Sequence, residues 1–130
     1  MIDESRPIFL QIAERIENDI VEATLAEEAQ VPSTNEFAAF YRINPATAAK
    51  GVNRLVEDGI LYKRRGIGMF VAAGARDRLR ARRREEFARQ YVQPLVQEAR
   101  KLGIGIKQLT DMIESTYTAT QDTTEGSVAQ

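Results

Sequence analysis

A chain of 130 residues fits one compact domain with a small appendage, and a hydrophobic content of 43% gives it a core and argues against wholesale disorder. With no Cys and no His, it lacks a disulfide framework, thiolate chemistry, the commonest metal ligand and the commonest general base, so no catalytic residues, metal site or cofactor are expected and the chain is not read as an enzyme. The net charge of −1 hides an uneven distribution: residues 1–40 carry two bases against nine acids, 41–84 twelve against three, and 85–130 four against seven.

Met1 to Arg6 is a short leader whose acidic start, M-I-D-E-S-R-P, does not match a signal peptide. No stretch approaches the ~18 apolar residues of a transmembrane helix, so no membrane partner is expected and the cytoplasm is the expected compartment. From Ile8 to about Val21, Phe9, Ile12, Ile16 and Ile20 recur at helical spacing, which predicts an amphipathic first helix with its acids on a solvated face. Thr24 to Val31 reads as a connection, with Val31-Pro32 able to form a short strand.

Ser33 to Val71 is the organising stretch. Ser33 and Glu36 have capping-box spacing and start a short helix bearing Phe37, Ala38 and Tyr41. After the turn Tyr41-Arg42-Ile43, Asn44 is a favoured N-cap and Pro45 suits the first helical position, where an N–H would have no partner. A second helix is therefore predicted from Pro45 to about Asp58, stopped by Gly59 in a left-handed conformation. Ala48, Val52, Leu55 and Val56 form its inward face, and Ala46, Thr47, Lys50, Asn53 and Arg54 point more outward. The run from Ile60 through Lys63, Arg64, Arg65, Gly66, Ile67 and Gly68 to Met69-Phe70-Val71 reads as a basic hairpin. Helix-turn-helix followed by such a hairpin is a winged helix-turn-helix, whose usual target is double-stranded DNA. The positive block of residues 41–84 falls here, and local charge governs phosphate attraction because screening limits its reach to about 8–10 Å.

Several motifs in this stretch agree in order and spacing with one family. P-S-T-N-E-F-A matches P-S-x-R-x-L-A in part, and the wing R-R-G-I-G-M-F-V is close to R-x-G-x-G-T-F-V. Pro7 to Val71 thus resembles the GntR-type regulators, and N-P-A-T with K-G-V-N-R-L looks like their YtrA branch. One segment and two single positions depart from the pattern. L-A-E-E-A-Q-V-P-S stands where relatives carry L-x-P-G-x-x-L-P-S, Asn35 where many have Arg, and Ala49 where the wider family has Arg, with a YtrA-like Lys50 next to it.

The resemblance implies a DNA surface built from Ser33, Asn35, Asn44, Ala46, Thr47, Lys50 and Arg54, with Arg64, Arg65, Gly66 and Gly68 in the wing. Thr47 and Lys50 have the chemistry to reach bases or phosphates, Asn44 can act as a cap alone, the reading at least as favoured, or as cap and phosphate contact together, and an Arg at the wing tip can enter a narrow minor groove.

Beyond Gly74 the pattern is helical. Arg76, Arg78, Arg80, Arg82, Arg83 and Arg84 spread around the helix at about 100° per residue, leaving phosphate contact and solvated charge equally open for them. Phe87, Tyr91, Leu95, Ala99 and Leu102 lie on a wide apolar face, and Pro94 predicts a kink by removing the bond to Gln90. A turn at 102–105 precedes a last amphipathic helix with Ile106, Leu109, Met112, Ile113 and Tyr117. The face bearing Phe87, Tyr91, Leu95, Ala99, Leu102, Leu109 and Ile113 is too broad for one small domain to bury and predicts a homodimer.

The expected architecture is mostly α with a small β-hairpin: a winged helix-turn-helix over 1–74, a two-helix dimerisation arm over 75–117, and a flexible tail over 118–130. The function expected is a homodimeric transcriptional regulator, a repressor on an inverted-repeat operator. A winged-helix module that binds protein without reading DNA is the alternative. The arm leaves room for a shallow pocket between subunits, and a small-molecule effector stays open as a partner.

Overall fold

The computed structural model describes residues 2–129, with side chains through 121. Contacts group the chain into two compact units, residues 1–84 and 85–130.

In the first unit, α1 (Ile8–Val21) buries Ile12, Ala13, Ile16 and Ile20, one stripe at helical spacing. α2 (Thr34–Tyr41) starts where Ser33 Oγ accepts from the Glu36 N–H at 3.1 Å, and it ends at Arg42 in the left-handed region. α3 (Pro45–Glu57) is capped by Asn44, whose Oδ1 accepts from the Ala46 N–H at 2.7 Å, and Gly59 follows its end with φ +75°. Ala48, Val52 and Leu55 are buried and Val56 is half-buried, so the inward face is the one the pattern indicates. α1 and α3 meet at Gly51, where an added Cβ would lie 2.6 Å from the Phe9 carbonyl oxygen.

β1 (Leu61–Arg64) and β2 (Gly68–Val71) pair antiparallel, with Leu61 opposite Val71 and Arg64 opposite Gly68. The connection from Thr24 lies along the free edge of β2. Gln30 bridges Phe70, and the Val31 N–H donates to the Met69 carbonyl at 2.9 Å. The single bridge falls at Gln30, so the short strand expected at Val31-Pro32 does not form, and Val31 adds only its one bond to β2. The loop before it turns through Ala23 and Glu28, both at positive φ, without the Pro-Gly turn of the pattern.

α4 (Ala75–Phe87) enters the first unit's core with Ala75 and Leu79, which are 0% and 1% exposed. Around Pro94 the chain does not simply kink. A π-type segment, Ala88–Val92, intervenes before α5 (Gln93–Lys101), and the Gln93 N–H donates to the Ala88 carbonyl five residues back. Proline has no N–H, and its ring collides with the carbonyl of residue i−4 in a regular α-helix; a wider turn accommodates both. Gly103, at φ +70°, ends α5, and α6 (Ile106–Ala129) follows. The backbone of the segment expected as a tail from Thr118 is helical to Ala129; the side chains beyond 121 lie outside the described residues.

Candidate nucleic-acid interface

The outward face of α3 follows from its inward one. At about 100° per residue, Ala46, Thr47, Lys50, Asn53 and Arg54 fall within about 120° of arc. Ala46, Lys50, Asn53 and Arg54 are exposed and Thr47 is half-buried. With Ala at 46 and 49, the strip presents small side chains between longer polar ones, the profile a helix needs to lie close in the DNA major groove. The N-terminal cap is settled: Asn44 Oδ1 is occupied by the Ala46 N–H. Ser33 Oγ is likewise engaged at the start of α2, and Asn35 is exposed on its first turn.

Lys50 is less free than its position suggests. Its Nζ sits 4.1 Å from the centroid of the Phe9 ring, a cation–π contact worth about 0.5–1 kcal/mol at an exposed site. Phe9 is only half-buried and, with Ala46, Ala49, Asn53 and Arg54, lines a shallow groove along α3. Periodicity assigned Phe9 to the inner stripe of α1; its contact with Lys50 depends on how α1 crosses α3.

In the wing, Lys63, Arg64 and Arg65 are exposed, and Gly66 takes φ +77° between them and Ile67. The Arg64 guanidinium lies 5.3 Å from the Phe70 ring centroid, so the strand beneath supports it. The Tyr62 hydroxyl donates to Glu28, a bond that holds its proton above the usual phenol range.

The arginine run of α4 is largely committed to protein. Arg76 Nε donates to the Val21 carbonyl at 3.0 Å, and an Arg78 Nη to the Gly59 carbonyl at 2.7 Å. Arg83 donates to Asn18 Oδ1 at 2.6 Å, and Arg82 pairs with Glu17. These bonds tie the start of α4 to the end of α1 and the turn after α3. Burial pushes the Glu17 carboxyl above its ordinary range, and Arg82 and Arg83 offset that only in part. A raised folded-state pKa favours the fold when protonated, so the stability this group contributes is lost as pH rises through that pKa.

In the second unit, Ala99 and Leu109 are buried, whereas Phe87, Tyr91, Leu95, Leu102 and Ile113 are exposed. Leu95, Leu109, Met112, Ile113, Thr116 and Tyr117 line an open apolar groove of about 730 Å³. Among the described residues no helix is long and apolar enough to cross a membrane.

Comparison with known proteins covers both units. A family model described as "Bacterial regulatory proteins, gntR family" matches residues 9–71. The crystal structure of a GntR-family transcriptional regulator from Bacteroides thetaiotaomicron is similar over 87% of this chain and 98% of its own, with 34% identity and a TM-score of 0.70. The transcriptional repressor YtrA of Bacillus subtilis is 24% identical over 110 residues, 85% of this chain and 84% of YtrA. The DNA-binding domain of AraR, in a crystal structure with operator ORX1, is 29% identical, covers 55% of this chain and 87% of that one, and has a TM-score of 0.50.

Proposed function

This chain belongs to the GntR family of bacterial regulatory proteins, and from that membership we propose that it regulates transcription by binding double-stranded DNA, with α3 in the major groove and the hairpin as a wing. The observation that carries the reading is the strip of Ala46, Thr47, Lys50 and Arg54 on α3, with the basic hairpin directly after that helix in the chain. The AraR DNA-binding domain bound to its operator supports it, as a structure similar over 55% of this chain.

Repression, rather than activation, is supported by likeness to YtrA over most of both chains. The protein acts as a binding protein and not an enzyme, in the cytoplasm where the DNA is. A second copy of the chain covers the apolar groove and the exposed Phe87, Tyr91 and Leu102 of the C-terminal unit. Two modules related by twofold symmetry then read an inverted repeat. Selection of bound sequences from random duplex DNA tests the proposal: an enriched inverted repeat is the expected result, and no enrichment over input would overturn it in favour of protein recognition.

Two substitutions separate the roles of wing and helix. Replacing Arg64 and Arg65 with Ala is expected to weaken binding to every duplex and flatten the salt dependence by about 0.9 in slope per lost phosphate contact. An unchanged slope in titrations at several salt concentrations would take the wing out of the interface. Lys50→Ala is expected to cost about 1–3 kcal/mol on the selected operator and relax preference at one position per half-site. Equal weakening on operator and random DNA would assign Lys50 to phosphate contact instead.

A further inference from the structure

The loop before α2 does more than cover the edge of the hairpin. Gln30 Nε2 donates to the carbonyl of Ile67, at the tip of the wing, at 3.0 Å across 37 residues of sequence. Gly68 makes room for that amide: with φ +146°, its backbone is one L side chains rarely adopt, and a Cβ there would lie 2.5 Å from Gln30 Nε2. On either side of Gln30, the Val31 N–H donates to Met69 and the Val71 N–H donates to Ala29, so the backbone that carries the amide is fixed against β2. Ile67 itself is 55% exposed, and its side chain has no polar group to orient the turn.

Resting on the DNA reading above, we propose that Gln30 is a positioning residue for DNA recognition: its side-chain amide holds the wing tip, at Ile67 and Gly68, in the conformation that meets the duplex. Within the three-residue turn between the two four-residue strands, the Ile67 N–H also donates to the Arg64 carbonyl at 2.9 Å. An amide that pins the Ile67 carbonyl removes conformations the turn would have to lose on binding, which is how preorganisation raises affinity. Glycine at 68 belongs to the same device, since any other residue would push the amide away.

Gln30→Met keeps the length of the side chain and removes the donor. Its effect is measured on the selected operator by titration at several salt concentrations, by footprinting and by thermal unfolding, beside the parent and the Arg64→Ala/Arg65→Ala variant. A hydrogen bond of ordinary net strength corresponds to roughly a three- to ten-fold loss of affinity. That loss is expected with a melting temperature lowered by no more than about 10 °C, as the loss of one bond allows in a domain of this size, with a shallower salt slope, and with protection lost only in the minor groove beneath the wing, base preference under α3 intact. Parental affinity and slope in Gln30→Met overturn the role of Gln30 and leave the DNA reading standing, provided the double arginine variant is weakened. An affinity loss with the parental salt slope and footprint, or a melting temperature lowered by well over about 10 °C, makes Gln30 a stability residue and also overturns it. If the parent protein enriches no duplex, the DNA reading and this role fall together.

Discussion

Leu95→Asp is expected to turn the protein into a monomer that keeps its helix-turn-helix but no longer holds its operator at concentrations where the parent saturates. Leu95 is 42% exposed in the single chain and lines the apolar groove with Leu109, Met112, Ile113 and Tyr117. An aspartate there keeps its water in the monomer, so folding of the chain is little disturbed. In a dimer it would be an unpaired buried carboxylate, which is strongly unfavourable. A single module contacts few base pairs, and linking two raises apparent affinity by about 10²–10⁴ without any new kind of contact. Sedimentation of variant and parent, followed by operator titration, reads both consequences. A variant that stays dimeric and binds as the parent does would place the subunit contact elsewhere.

Gly51→Ala is expected to lower the melting temperature by about 5–10 °C, read by circular dichroism. On propensity alone the change should help, since alanine is favoured over glycine in a helix interior by about 1 kcal/mol. The new Cβ, however, would sit 2.6 Å from the Phe9 carbonyl oxygen and 3.1 Å from Ile12 Cβ. The first of these is backbone, with no rotamer to yield, so α1 must back away from α3 while Ile12 and Ile16 remain anchored in the core. Overpacking of this kind costs about 1–3 kcal/mol, and a rigid obstacle puts it at the upper end, above the propensity gain. Because α1 also carries Phe9, the shift should loosen Lys50 and reduce operator selectivity as well. An unchanged melting temperature would mean that the two helices do not approach this closely.

The isolated glycine in a helical pattern was itself a signal of close packing, and periodicity alone passed over it. The Ser33 and Asn44 caps, the Pro45 start, the Gly59 stop and the hairpin around Gly66 could all be read from the sequence. Each is a bond or dihedral between residues within a few positions of one another, set by the chemistry of the residue on the spot. Family motifs in the same stretch added the candidate DNA surface, for the same reason: they record local backbone shapes that side chains of fixed spacing can serve.

The sequence by itself determined the order of helices and strands, which face of α1 and α3 turns inward, and the basic character of the middle of the chain. The tertiary structure alone decided what the basic residues do. Arg82 and Glu17 are 65 residues apart, as are Arg83 and Asn18, and Arg76 reaches Val21 over 55. Nothing in a helical repeat distinguishes an arginine that will meet a carbonyl on a distant helix from one left in water. The same is true of Phe9 beneath Lys50 and of Gln30 at the wing tip. The π-type segment before Pro94 belongs here too, since the missing N–H marks a break without saying how the chain will absorb it. Local patterns specify where side chains point, but which groups meet depends on how elements pack, and packing is a property of the whole core at once.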